Sequence, residues 1–545
     1  MLTITLILVM FVAVLVASIL VRMSPVPLPS PLVQIFLGTC IGMVSDWRLE
    51  LDPQVFFLMF LPPLLFLDGW QIPKEGLFRD RGMILALALG LVVFTVLGVG
   101  YFVHWLIPTI PLSVAFALAA VISPTDPVAV SAIAARVPVP KRLMHILEGE
   151  SLLNDASGLV CLRFAVAATL TGSFVLTEAF LTFLQLSLGG IAIGVAITWI
   201  INKSKSWISH RFGEETGAQI LISLIMPFLA YQAAEHLHCS GILAAVAAGI
   251  AMSYNELSGK VLAVTRVQRT AVWDMLQFAL NGLIFVLLGE QLPGIVAGAS
   301  LAMEEIGRPD WQQLLFYVLV INLALGLLRF AWVWISIRVT RFFGSKSTEP
   351  RPRKVWRIAA ATSVAGARGA ITLAGVLTLP LVMNDGTPFP ARDLAILLAA
   401  GVIIVSLIVA SIGMPLLLKG IDMPAEPERH AEVDRARDLA AEAAIRAIEQ
   451  AQHKMSEGRP DVDLYIQAAA RITDIYRYRI DSHAEQVEKQ EDYRMAEEIE
   501  RHLRLAGLRA ERDELFRLAR RKLLDEEVAR KLIRDIDLME TQQVR

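Results

Sequence analysis

The chain has 545 residues, of which 55% are hydrophobic and 19% charged, with a formal net charge of −2 and a mean hydropathy of +0.56. Soluble domains carry about a quarter charged residues, and the deficit here is uneven: residues 421–545 hold 23 basic and 29 acidic side chains, whereas the much longer residues 1–420 hold 27 and 23. This pattern excludes a soluble globular enzyme. It excludes a disulfide scaffold as well, since the cysteines are only Cys40, Cys161 and Cys239 in apolar surroundings, and the near-neutral balance gives no case for nucleic acid.

The expectation is an all-α polytopic membrane protein: a transmembrane domain over 1–420, then a soluble helical tail over 421–545. Met1 to Val21 is apolar, with no basic start and no small-residue cleavage pattern, and reads as a first span rather than a signal peptide. A span needs about 20 apolar residues to cross ~30 Å of hydrocarbon. Thirteen candidates follow one another, at approximately 2–22, 30–45, 52–68, 81–107, 112–136, 141–171, 175–202, 216–236, 239–256, 270–293, 312–340, 355–382 and 390–418. With the N-terminus outside, the inner loops carry twenty basic residues, from Arg22 to Arg357, and the outer loops three, Arg48, Arg308 and Arg392. A missed span would scramble that alternation, so the odd count places the tail in the cytoplasm.

Charges inside spans cost about 2.5–3.5 kcal/mol each on insertion scales, so each one asks for a partner or a task. The third candidate ends in Asp68, either an interfacial cap or a ligand reaching in from a neighbouring helix. The fifth reads Ser123-Pro124-Thr125-Asp126-Pro127. Two prolines flank Thr125-Asp126, each removing a backbone donor, so the helix opens beside a carboxylate and offers a cation site; the plainer reading is a proline kink with a capping Asp. The sixth carries Glu148-Gly149-Glu150-Ser151, then Asn154-Asp155. Ser151 and Asp155 share one helical face with Glu148 a turn towards the cytoplasm, and Glu150 and Asn154 share the next. One face suits an ion and the other a network tying helices together, the reading taken for Glu150.

The twelfth candidate contains Gly366-Ala367-Arg368-Gly369. A buried arginine needs a carboxylate, and Glu150 is the expected partner of Arg368. The fifth and twelfth spans, seven apart, cross in opposite directions, and two interrupted helices in inverted register point to a secondary transporter built from inverted repeats. Ion pairing or interface positions account for Arg163, Glu235, Glu290 and Arg329, with no transport role, and His236 with His238 is weak evidence for a metal. No phosphate loop, nucleophile–base motif or zinc spacing is present, so neither ATP-driven pumping nor a cofactor is expected.

Ser123 to Val130, Glu148 to Asp155 and Gly366 to Gly369 together resemble the cation:proton antiporter-1 family, the NhaP-type bacterial sodium/proton antiporters related to the animal sodium/proton exchangers. Leu61 to Trp70, Ala234 to Gly241 and Asn281 to Gly289 support the resemblance, which covers roughly residues 1–420. It implies a thirteen-span antiporter fold in the bacterial plasma membrane, a homodimer, and a mobile core domain working against a dimerisation domain. It implies that Asp155 holds Na⁺ with Asp126, Thr125 and Ser151 as further ligands, and that Asp68 stands about where NhaP-type members have Glu. It further implies a Glu150–Arg368 pair, an Asn154 that braces the crossing of the unwound helices, and electroneutral exchange, since Asn154-Asp155 matches the electroneutral pattern. Glu148 lies on the cytoplasmic approach.

The tail alternates charge with Ala, Leu and Ile at helical spacing, with a break near Gly458-Arg459-Pro460, and reads as two to four amphipathic helices whose partner the sequence does not name. Sodium or lithium/proton exchange is the leading reading. Potassium/proton exchange at the same site is its rival, and a gated cation channel is the alternative from another class.

Overall fold

In a computed structural model the described residues are 2–24, 29–44, 53–72, 81–126, 141–172, 176–256, 262–306, 311–343, 355–419, 427–457, 462–485, 490–521 and 526–543. They are helical almost throughout. The chain divides into two compact units, Met1–Asp422 and Met423–Arg545.

The first unit contains α1 (Leu2–Met23), α2 (Ser30–Val44), α3 (Pro53–Gln71), α4 (Arg81–Leu106), α5 (Leu112–Ile122), α6 (Lys141–Thr171) and α7 (Leu176–Phe212). It continues with α8 (Thr216–His236), α9 (Gly241–Glu256), α10 (Ala263–Ile306), α11 (Trp311–Phe343), α12 (Val355–Val364), α13 (Ala370–Leu377) and α14 (Arg392–Leu418). Eight of these helices are long and apolar enough to cross a membrane. The second half of the fifth predicted span, from Pro127 onward, lies outside the described residues. Several helices run past the predicted span ends: α10 begins at Ala263 rather than near 270, and α7 continues to Phe212 rather than 202. Backbone hydrogen bonding continues through Arg, Lys and Gln, which are good helix formers whether or not lipid surrounds them.

Packing sorts the first unit into two groups. One, a panel, joins α2 to α10, α3 to α9 and α7 to α9, with α1 and α8 against it. Glycine sets its tightest contact: Gly38 on α2 lies against the Val286 and Glu290 backbone of α10, and Gly289 on α10 lies against the Ile35 and Thr39 backbone of α2. A side chain at any of these points would push two helices apart. The other group, a bundle, gathers α4, α5, α6, α11, α12, α13 and α14 around a core that includes Val99, Val103, Val114, Leu118, Ala119, Leu394, Leu398, Val402 and Ile403. Panel and bundle meet where α10 packs on α14 and where α3 packs on α13.

The second unit consists of α15 (Pro427–Ser456), α16 (Val462–Glu485), α17 (Gln490–Arg520) and α18 (Glu526–Gln543), with α15 packed on α16 and α17 on α18. Arg512 of α17 pairs with Asp537 at 3.0 Å and with Glu540 of α18, and Arg509 reaches Glu540 at 3.3 Å. The sequence break at Gly458-Arg459-Pro460 lies outside the described residues.

Candidate ion-binding site

Two non-helical stretches at helix ends meet inside the bundle. α5 stops at Ile122, and Ser123 to Asp126 continue without helical bonding; α12 stops at Val364, and α13 begins only at Ala370. A helix end leaves its last carbonyls or its first N–H groups without partners, and the two stretches satisfy each other. Asp126 N–H donates to Ala367 O at 2.8 Å. The Arg368 Nε donates to Ile122 O at 2.8 Å, at the end of α5, while its Nη1 donates to Gly366 O and its backbone N–H donates to Ser406 Oγ of α14. Arg329 of α11 does the same for the other break, with Nε donating to Thr362 O at 3.1 Å in the last turn of α12. Each buried guanidinium therefore caps the C-terminal, electronegative end of one helix. The Asp126 side chain lies against Gly369 at the N-terminus of α13, so close that any Cβ there would collide with it.

This arrangement corrects the expected partner of Glu150. The carboxylate is bound not by Arg368 but by both Nη atoms of Arg329, with Nη2–Oε2 at 2.8 Å. The side chains are 1% and 3% exposed. Both arginines lie in apolar stretches of sequence, so charge alone could not choose between them. The choice is made by the break: Arg368 is committed to the carbonyls of Ile122 and Gly366, which leaves the fork of Arg329 to meet a planar carboxylate. Arg329, read from the sequence as an ordinary paired or interfacial charge, is thus part of the site's frame. Glu150 Oε1 also accepts the Thr125 hydroxyl at 3.3 Å, and Asn154 Nδ2 donates to Thr125 Oγ1 at 3.1 Å. Asn154 so links α6 to the α5 break.

Asp68, Thr125, Asp126, Ser151 and Asp155 line one cavity of about 50 Å³, space on the scale of one or two water molecules. Leu61, Leu64, Leu65 and Asp68 come to it from α3, Pro124 to Asp126 from the α5 break, Ser151 and Asp155 from α6, and Gly369, Ile371 and Thr372 from the start of α13. The cavity therefore lies on the seam between panel and bundle. Three carboxylates stand in its wall beside leucine, isoleucine and phenylalanine side chains, and Thr125, Ser151 and Thr372 add neutral oxygens. Glu148, half-buried one turn before Ser151 on α6, is not among the lining residues. Among the described residues no cluster of three His, Cys, Asp or Glu has metal-holding geometry. His236 and His238 are exposed, and Glu235 pairs with Arg163 at 3.6 Å. Sequence reasoning missed Gln277 of α10, which lines the cavity one turn from Asn281; the available signal was two amides four residues apart on an apolar helix.

Residues 8–420 match the family model described as the transmembrane sodium/hydrogen exchanger. An uncharacterized Na⁺/H⁺ exchanger of Escherichia coli K12, YjcE, is 39% identical over 98% of this chain and 97% of its own length. A sodium, potassium, lithium and rubidium/H⁺ antiporter of Bacillus pumilus is 37% identical over 96% of this chain and 76% of its own length. Among solved structures, the sodium proton antiporter MjNhaP1 of Methanocaldococcus jannaschii superposes with a TM-score of 0.60 over 77% of this chain and 99% of that one, at 17% identity. That likeness is one of fold.

Proposed function

The chain belongs to the sodium/hydrogen exchanger family of multi-pass cation/proton antiporters, which are secondary transporters and not enzymes, and on that premise we propose that it exchanges Na⁺ or Li⁺ for H⁺ by competition of the two at Asp155. The observation that carries the reading is the seam cavity, lined by the Asp155, Asp126 and Asp68 carboxylates beside the hydrogen bond from Asp126 N–H to Ala367 O. A carboxylate in such a place binds a proton or a partly dehydrated cation, and neighbouring carboxylates couple the two titrations. Thr125, held by Asn154 and Glu150, and Ser151 supply oxygens that turn a point charge into a coordination site. Exchange then needs the loaded bundle to shift against the panel so that the cavity faces one side and then the other.

The proposal extends to thirteen spans built as inverted repeats, with the α5 and α12–α13 breaks at their crossing. It places the N-terminus outside and the tail in the cytoplasm of a bacterial inner membrane, and it makes the protein a homodimer exchanging one ion for one proton. Glu148 attracts cations on the cytoplasmic approach. Potassium is a second candidate cargo, favoured by the broad ion range in the description of the Bacillus pumilus relative.

The test is exchange in proteoliposomes with an interior pH dye, Na⁺, Li⁺ and K⁺ pulses, and valinomycin to clamp voltage, wild type against Asp155→Asn. Cation-driven pH change in the wild type alone, insensitive to the clamp, is the expected result. Equal activity in Asp155→Asn removes Asp155 from the mechanism, and a clamp-sensitive current at a channel's rate overturns exchange itself.

A further inference from the structure

The carboxylates account for only part of the cavity wall. On the panel side α10 contributes Gln277 and Asn281, both half-buried, together with Ile284 and Phe285. Four residues along a helix is one turn, about 6 Å of rise, so the two amides stand one above the other on the face turned to Asp155. The rest of that stretch is apolar: Phe278, Ala279 and Leu280 lie between them, and Leu283 to Val286 follow. Neither amide has a hydrogen-bond partner among the described residues. Amides that line a cavity without partners forgo hydrogen bonding, a loss that a helix packing against its neighbours could avoid with Leu or Met. An ion in the cavity would recover it through the amide oxygens.

We propose that Gln277 and Asn281 are cation ligands contributed by the panel, and that their neutral oxygens set which alkali ion the site prefers. The proposal rests on the exchange reading above. The bundle brings Thr125, Asp126, Ser151 and Asp155; the panel brings Asp68 and two amides, so the full ligand shell assembles only when bundle and panel close around the cavity. Carboxylates supply high field and favour small ions. Amide oxygens supply weaker field but raise the number of ligands, which a large ion needs to replace its hydration shell. Removing an amide should therefore harm K⁺ most and Li⁺ least. The longer Gln277 side chain adapts its reach, so the larger effect falls there.

The experiment uses the full chain in proteoliposomes, with Gln277→Met, Asn281→Leu and, in parallel, Asp155→Asn. Apparent KM is measured for Li⁺, Na⁺ and K⁺, and the concentration of each chloride salt giving half-maximal thermal stabilisation is measured on the same proteins in detergent, a reading that does not depend on transport. In Gln277→Met the K⁺ constant is expected to rise about tenfold, the loss of one good ligand, with Li⁺ changed less than twofold; Asn281→Leu shifts the same ratio in the same direction by less. A K⁺-to-Li⁺ ratio unchanged within twofold in both variants overturns the proposal, whether or not overall rates fall, because a uniform loss marks a structural role. Should Gln277→Met not fold, Gln277→Glu keeps the shape and raises the field, and must lower the preference for K⁺ over Li⁺. The parallel variant separates the two levels: full activity in Asp155→Asn defeats the exchange reading, while silence there with an unchanged ion ratio in the α10 variants defeats this inference alone.

Discussion

The pair between Glu150 and Arg329 gives the sharpest energetic test. Both side chains are almost fully buried, at 1% and 3% exposure, and the fork binds both carboxylate oxygens. Glu150→Gln leaves Arg329 with the Thr362 carbonyl and a neutral amide, an uncompensated charge in a dry interior. Breaking a buried pair from one side costs about 3–5 kcal/mol. Arg329→Met strands Glu150 with the Thr125 hydroxyl and should cost the same order. The double variant removes both charges, so its loss should fall well short of the sum, with a coupling of about 2–3 kcal/mol. Arg368 is the control. It is bonded to Ile122 O, Gly366 O and Ser406 Oγ and not to Glu150, so the Glu150/Arg368 cycle should show coupling below about 1 kcal/mol, although Arg368→Met itself destabilises by uncapping α5. Unfolding in mixed micelles of rising SDS content, followed by tryptophan fluorescence, measures both cycles. A larger coupling to Arg368 than to Arg329 would refute the assignment and restore the pairing expected from sequence.

Two further outcomes follow from local geometry. A Cβ added at Gly369 would lie 2.5 Å from Asp126 Cβ and Cγ, so Gly369→Ala must displace that carboxylate; exchange should fall more than tenfold, with a stability loss of about 1–3 kcal/mol from overpacking, whereas Gly217→Ala, where a Cβ would meet nothing within 4 Å, should behave as wild type in the same vesicles. Between α13 and α14 the Thr387 hydroxyl and N–H both donate to Asp385, which holds that exposed carboxyl below its ordinary range. A depressed pKa stabilises the folded turn above the unfolded value, about 4, and the contribution is lost as pH falls through the folded value. Hydrogen exchange at the Met383 and Phe389 amides, bonded to Thr387 O and Leu381 O, should therefore quicken in Thr387→Val at pH 7 and match wild type near pH 2; equal quickening at both would refute the linkage.

The legible features were those that a local signal announces. Pro124 marks the end of α5 because proline acts on its own turn, and Ser151 with Asp155 share a face by helical spacing alone. What stayed illegible depends on register between distant helices. Whether Glu150 meets Arg329 or Arg368 is decided by how α6, α11 and the α12–α13 break align, and the sequence holds both arginines in similar surroundings. The π-helical turn at Ala86–Leu91 in α4 is another case: its Ala86 carbonyl accepts Trp332 Nε1 of α11 at 3.0 Å, and Gly90 makes room for that indole ring. No residue pattern within α4 announces a donor on another helix. Gln277 carries no charge and so adds little to the cost of its span, and only the packing of α10 on the seam brings it to the cavity.

Charge arithmetic links the frame of the site to its proposed work. Glu150, Asp68, Asp126 and Asp155 bring four carboxylates into the frame and cavity, against the two guanidiniums of Arg329 and Arg368. One carboxylate and one guanidinium cancel in the Glu150–Arg329 pair. Arg368 is spent on the end of α5, where it offsets the helix terminus as well as part of the carboxylate charge. With every carboxylate ionised the group would hold a surplus of two negative charges, which a membrane interior does not tolerate unmatched. Protons or cations must make up the difference in any state that crosses. On the proposed reading, exchanging one proton for one monovalent cation leaves that count unchanged, so both loaded forms can move while the emptied form is held back. Asn154 fits the same arithmetic: an aspartate in its place would raise the surplus to three and require another positive charge in every cycle. Asn154→Asp should therefore either bind an additional proton or make transport sensitive to the valinomycin clamp, and exchange that remains clamp-insensitive with unaltered pH dependence would show that the charge count does not govern the crossing.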